Sequence, residues 1–241
     1  MTLPITAIVI TSPIPSHPST AIIHETLQSI RYHLPDCELL VLADGVREEE
    51  MDCRPDYMEF LSKLASDELF GYGKAMLLAS FEHRHQVGLM RRFFDHIRSP
   101  LLLFMEHDTP LTTDPIPWQN LCDVLLNTGV DYVRFNPEVQ IHPEHMHLML
   151  DKIYPYGVPL MRTIQFHARP HLATKRFYER LLGKFTPGAN CFIEDYAHSV
   201  CQVEGWDAWP LTIYAPDGNQ KRSRHTNGRE GSQKFDDRQV F

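Results

Sequence analysis

Short unbroken apolar runs alternate along the chain with amphipathic stretches, the pattern of strands buried on both faces and helices packed over them. Thr6-Ala-Ile-Val-Ile10 is the first run, rich in β-branched residues and closed by Thr11-Ser12-Pro13. Pro13, Pro15 and Pro18 force a loop there. Ser19 or Thr20 supplies a helix cap. Ile23, Leu27, Ile30 and Leu34 then form one stripe at helical spacing, and Pro35-Asp36 ends it. Glu38-Leu-Leu-Val-Leu42 is a second strand, stopped by Ala43-Asp44-Gly45. Together these segments make a β-α-β unit, whose crossover is right-handed by rule.

Residues 48–86 are patterned more weakly, with a helix over Tyr57 to Ala65 and a loop at Gly71–Lys74. The helical period returns from Val87 through Met90, Phe93, Phe94 and Ile97, until Ser99-Pro100 breaks it. Leu101-Leu-Leu-Phe-Met105 is the most apolar run and reads as a central strand leading straight into Glu106-His107-Asp108. Further on, the pattern predicts a helix at Trp118–Asn127, a strand at Asp131–Phe135 and a His-rich helix or loop over 142–153. A strand at Thr163–Phe166, helices at Ala173–Leu182 and Ile193–Val203, and a last strand at Ala208–Tyr214 complete it. The expected architecture is a single α/β domain over residues 1–215, with a mostly parallel central sheet flanked by helices. Residues 216–241 form a polar tail, read either as plain disorder or as a segment that closes over a site.

Composition narrows the function classes. The chain has 241 residues, 43% hydrophobic and 22% charged, enough for a core without staples. Its net charge of −8 disfavours broad binding to nucleic acid. The tail carries six basic and four acidic residues, including Lys221, Arg222, Arg229, Lys234 and Arg238, so the remainder stands near −10. Cys37, Cys53, Cys122, Cys191 and Cys201 are odd in number and form no C-x-x-C pair, against a disulfide framework or a cysteine zinc site. The first apolar run is too short for a signal peptide, and no stretch reaches the ~20 apolar residues of a membrane span. A cytoplasmic protein is expected.

Three acidic groups stand out, and the first two lie where ligands bind in open α/β sheets, beyond the carboxyl ends of strands. Asp44-Gly45 ends the second strand and reads either as a turn or as an acceptor for a ribose or base imide. Glu106-x-Asp108 ends the central strand, and paired hard oxygens there suit a divalent cation. Glu194-Asp195 opens an amphipathic helix, where the macrodipole also favours acids for purely structural reasons. Arg84, Arg91 and Arg92 precede the acidic strand and are candidates for phosphate. The histidines at 142, 145, 147, 167 and 171 lack zinc-ligand spacing, and Gln165–His171 is placed near an acceptor.

In this order the segments resemble the GT-A glycosyltransferases, the inverting, family-2-like enzymes with a nucleotide-diphospho-sugar transferase fold. The matches are the strand–helix–strand unit ending in Asp44-Gly45, the helix Gly88-Leu-Met-Arg-Arg-Phe-Phe before Glu106-His107-Asp108, and Glu194-Asp195 with His225-Thr-Asn-Gly-Arg229. The resemblance implies a nucleoside-diphosphate sugar donor, a UDP-sugar favoured, bound by Thr11, Pro13, Asp44, Glu106, Arg91 and Arg224. It implies Mn²⁺ or Mg²⁺ on Asp108 and His225, with Glu106 on the metal, its water or the ribose. Glu in the first position of that acidic motif, and His in the middle, depart from the family pattern. Asp195, or its neighbour Glu194, would be the general base toward a hydroxyl acceptor, whether glycan, small molecule or hydroxylated DNA base.

The chemistry calls for such groups. A sugar leaving a nucleoside diphosphate builds charge on the β-phosphate, which a cation offsets. A hydroxyl nucleophile needs a base to take its proton. Two rivals share the fold: a nucleotide-sugar-binding protein without catalysis, and a metal-dependent nucleotidyltransferase or hydrolase. The latter wants a glycine-rich basic loop after the first strand, and Thr11-Ser-Pro-Ile-Pro15 has no glycine.

Overall fold

The computed structural model describes residues 2–226, with 67–70 as backbone only. The first unit is β1 (Ile5–Thr11), α1 (Ala21–His33) and β2 (Glu38–Ala43), followed by α2 (Arg54–Lys63), β3 (Ala75–Ala79) and α3 (His85–Phe93). Then come β4 (Leu101–Glu106), α4 (Trp118–Asn127), β5 (Tyr132–Arg134), β6 (Met149–Ile153) and β7 (Leu160–Thr163). The series closes with β8 (His171–Thr174), α5 (Lys175–Lys184), α6 (Glu194–Glu204) and β9 (Leu211–Tyr214).

Among the described residues nine strands form one sheet, in the order β3-β2-β1-β4-β8-β5-β9-β7-β6. The half built from β3, β2, β1 and β4 is parallel throughout. Beyond β4 the sheet is mixed: β8 enters antiparallel to both neighbours, β5 and β9 pair in parallel, and β7 and β6 finish as an antiparallel edge. The alternation of strand side chains splits the core in two. Leu101, Leu103 and Met105 face α1 and α4, while Leu102 and Phe104 face α3, α5 and α6.

Three strands escaped the sequence pattern. β3 and β6 lie towards or at the sheet edges and are only partly buried, so their apolar signal is diluted. β8 merges with the helix predicted from Ala173; the boundary is set by Thr174, whose hydroxyl accepts the Phe177 N–H at 3.0 Å as an N-cap. The strand expected at Thr163–Phe166 instead lies at Leu160–Thr163. His171, on β8, is fully buried: one ring nitrogen pairs with the Tyr178 hydroxyl at 2.7 Å and the other with the Arg169 carbonyl at 2.6 Å. Burial pushes its pKa down to about 3. It is a satisfied core histidine.

The register Ile10↔Glu106 and Thr11↔Ala43 brings the carboxyl ends of β1, β2 and β4 level. The polar residues that follow these strands therefore meet in one crevice. Tail residues 221–226 run along it. Residues 221–223 bridge to Asn136 and Leu111, and the Thr226 N–H donates to the Asp108 carbonyl at 2.8 Å. Asn227, Gly228, Arg229, Glu230, Lys234, Asp236, Asp237 and Arg238 lie outside the described residues. Among the described residues no helix is long and apolar enough to cross a membrane.

Candidate active site

A cavity of about 440 Å³ occupies the crevice, with Pro13, Asp44, Glu106, Asp108 and His225 in its wall. Thr11 is fully buried at the end of β1 and does not reach it.

Asp44 is 2% exposed, and both its oxygens are taken. Oδ1 accepts the Gly45 N–H at 2.9 Å and the Arg84 N–H at 2.7 Å. Oδ2 accepts the His85 N–H at 2.9 Å and lies 2.9 Å from His83 Nδ1. Asp44 lines the cavity and pins the 83–85 turn that opens α3. Gly45 belongs to the same contact, since a Cβ there would lie 2.4 Å from the Glu82 backbone.

That turn delivers Gln86, which the sequence did not single out. Gln86 is buried; its amide N–H donates to Glu106 Oε1 at 2.6 Å and its carbonyl accepts the Ile193 N–H at 3.2 Å. It thus ties the end of β4 to the start of α6. Burial, then the nearby Asp108 charge, push the Glu106 carboxyl up to about 7. Arg47, His83, His85 and Phe192 also line the crevice and were missed, because residues in loops and at the first position of a helix carry no periodic signal.

Asp108 is 7% exposed, and its Oδ2 lies 3.3 Å from His225 Nε2. The tail strap places His225 there, since the Thr226 N–H and hydroxyl both bond the Asp108 carbonyl. Two donors 3.3 Å apart come close to the edge of an octahedron with metal–ligand bonds of about 2.1 Å, an edge of about 3.0 Å. Glu106 lines the same cavity. Among the described residues no group of three or more His, Cys, Asp or Glu side chains is clustered closely enough to hold a cation unaided.

Gln86, Glu106 and Phe192 also wall a second cavity of about 550 Å³, in which Glu194 and Asp195 stand. Glu194 is engaged: its Oε2 accepts the Ala168 N–H at 3.0 Å and lies 3.0 Å from His167 Nδ1. Burial pushes its carboxyl up, but these bonds, with Arg134 nearby, leave it below the usual carboxylate range. Asp195 is exposed and faces this cavity.

The arginines expected at phosphates are elsewhere. Arg91 donates to the carbonyls of Leu182, Phe185 and Thr186 at 2.6–2.8 Å, closing the end of α5. Arg84 pairs with Glu82, and Arg92 lies over the Phe93 ring. Arg224 pairs with Glu25 on α1. Arg222 is buried and bonds the carbonyls of Pro115, Asn219 and Lys221. Arg91 and Arg222 are thus spent on backbone carbonyls, while Arg84 and Arg224 stand in ion pairs with neighbouring glutamates.

Asp44→Asn should lower stability by about 1–3 kcal/mol, because two donors then face an amide N–H₂; a chemical-denaturation series measures it. Unchanged stability would mean the carboxylate does not hold the turn. The second expectation concerns Glu106. A carboxyl raised from 4.5 to about 7 binds its proton more tightly in the folded chain. Stability of the metal-free protein should therefore fall as pH rises from about 4.5 to about 7, and level off above. Glu106→Gln removes that slope, and an identical pH dependence in the variant would refute the shift.

No family model matches the sequence, and no curated protein matches it. Solved structures do match in fold. The chain is similar to residues 1–349 of S. aureus TarS in complex with UDP-GlcNAc: 8% identity and a TM-score of 0.57, covering 93% of this chain and 58% of that one. It is similar to GalNAc-T7 with UDP, GalNAc and Mn²⁺: 11% identity and a TM-score of 0.53, covering 96% and 46%. It is also similar to the mannosyltransferase PcManGT from Pyrobaculum calidifontis with GDP-Man and Mn²⁺, at 14% identity and a TM-score of 0.50, covering 90% and 58%. The chain thus spans about half the length of these proteins. At such identities the likeness carries the fold alone, and on it the chain has the GT-A-type nucleotide-diphospho-sugar transferase fold.

Proposed function

We propose that this protein transfers a sugar from a nucleoside-diphosphate sugar to a hydroxyl acceptor, with inversion, using Mn²⁺ and Asp195 as the base. One observation carries the reading. Asp108, His225 and Glu106 share a cavity at the strand ends, and Gln86, Glu106 and Phe192 join it to the cavity that holds Asp195. The fold neighbours crystallised with UDP-GlcNAc, GDP-Man or UDP support a nucleoside-diphosphate sugar as donor.

Asp108 and His225 would hold the metal, and an imidazole in the set favours Mn²⁺ over Mg²⁺. When bound, the ion offsets the negative charge that the departing diphosphate gains. Glu106, held by Gln86, faces the ribose or a water beside the ion. Pro13 shapes the donor cavity, and Asp44 keeps the 83–85 turn against it. The strap carrying His225 forms one wall, so residues 221–226 act with the domain rather than as a loose tail.

The acceptor enters from the second cavity. Its hydroxyl oxygen attacks the anomeric carbon, and the bond to the β-phosphate oxygen breaks with its electron pair on the phosphate. The proton goes to the Asp195 carboxylate. Glu194 does not compete for this role: His167 and the Ala168 N–H stabilise its charged form, which makes it a weak base, and it orients the 167–168 segment.

Asp195→Asn should lower nucleoside-diphosphate release from the donor sugar at least ~100-fold, the usual share of a general base. Donor affinity should change less than threefold. Release that persists in both Asp195→Asn and Glu194→Gln would refute the base assignment. Intact donor binding with no release in the unsubstituted protein would make it a nucleotide-sugar-binding protein instead.

A further inference from the structure

β5 ends at Arg134, whose side chain is 5% exposed. Its Nη2 donates to Gln165 Oε1 at 3.1 Å. Its Nε and Nη1 are buried and have no hydrogen-bond partner among the described residues. A guanidinium has five N–H donors, no acceptor, and does not shed its charge within the physiological range. The three N–H groups on Nε and Nη1 are thus unused in a buried cation, a costly arrangement unless something else accepts them.

Arg134 lines a third, small cavity together with Arg169, His142, His145, Gln165 and Glu138. Arg169 is half-buried, and its guanidinium makes no hydrogen bond or ion pair among the described residues. Glu138 is the one carboxylate in this wall. Arg134 and Arg169 are the two permanent cations here, with Glu138 in the wall and Glu194 close to Arg134 beyond it. The cavity measures about 40 Å³. A water needs about 10–15 Å³ by such a measure, so there is room for a compact head group and not for a sugar ring. The wall also includes His145, Gln165, His167 and Arg169, which belong equally to the cavity of Asp195.

We propose that this pocket binds a phosphate group carried by the acceptor, with Arg134 and Arg169 as its two cationic donors. The binding claim stands on the pocket alone, and the identity of the carrier rests on the glycosyltransferase reading. A phosphate offers three or more acceptor oxygens to the Arg134 and Arg169 guanidinium groups that line the pocket, where a carboxylate offers two. Its place beside Asp195 would hold an acceptor by its charge while a hydroxyl of the same molecule reaches the base.

The test has two arms. In the first, inorganic phosphate is titrated by calorimetry into the full chain, without nucleotide or metal. Arg134→Met and Arg169→Gln should each weaken binding at least tenfold, and Asp108→Ala, in the donor cavity, should leave it unchanged. Arg134→Met is expected to fold, because it removes an unpaired buried charge for a side chain of similar length; Arg169→Gln is a second, less buried probe. Phosphate binding that survives both substitutions, or that is absent from the unsubstituted chain, overturns the site. In the second arm, nucleoside-diphosphate release is measured with monosaccharide phosphates and with the same sugars dephosphorylated. Faster release with phosphorylated sugars, lost in Arg134→Met, is the expected result. Phosphate binding without any preference for phosphorylated sugars overturns the assignment to the acceptor and makes this a site for free anion. No release with any acceptor, beside intact phosphate binding, counts against the transferase reading and not against the pocket.

Discussion

Burial of β4 on both faces is the constraint from which the site follows. Leu101 to Met105 are all fully buried between β1 and β8, with side chains committed alternately to the two halves of the core. A strand so placed can neither slip in register nor turn a polar residue inward, since a one-residue shift would exchange its two faces. Glu106-His107-Asp108 must therefore emerge where the apolar run stops, level with the ends of β1 and β2. The parallel direction of these strands puts all three ends on one side, and the crevice there is a property of the sheet before it is a property of any ligand.

What the crevice can do depends on which polar groups the fold has already spent. Asp44, Glu194, Arg91, Arg222 and Arg224 all have partners: turns, helix ends or one another's loops. Their bonds hold the walls. Arg134 is different, because its buried Nε and Nη1 have no hydrogen-bond partner among the described residues. Satisfied buried groups stabilise a fold, whereas unsatisfied ones beside a cavity point to ligands.

The strong periodic segments were legible in the sequence. β1, α1, β2, β4 and α4 follow from runs and stripes, and so did the position of Glu106-x-Asp108 and Asp44 at strand ends. The resemblance to GT-A enzymes supplied His225, and the strap now gives the physical reason for its position beside Asp108. The remainder depended on contacts distant in sequence. The partners of Asp44 are about forty residues away, and Gln86 reaches Ile193 across more than a hundred. Arg91 looked like a phosphate ligand because it precedes the acidic strand, yet its helix faces the end of α5. Arg134 read only as a strand residue, since nothing local tells a buried guanidinium from an exposed one. β3 and β6 failed for a related reason: a half-solvated strand has half a pattern.

The central claim is that Asp108 and His225 make a cation site completed by a diphosphate. Isothermal titration of a nucleoside diphosphate, with and without Mn²⁺, tests it most directly, in the unsubstituted chain and in Asp108→Ala and His225→Ala. Binding should be at least tenfold tighter with Mn²⁺, and the metal-dependent gain should vanish in both variants while metal-free affinity stays the same. Equal affinity with and without the ion, or a gain that both variants retain, would contradict it.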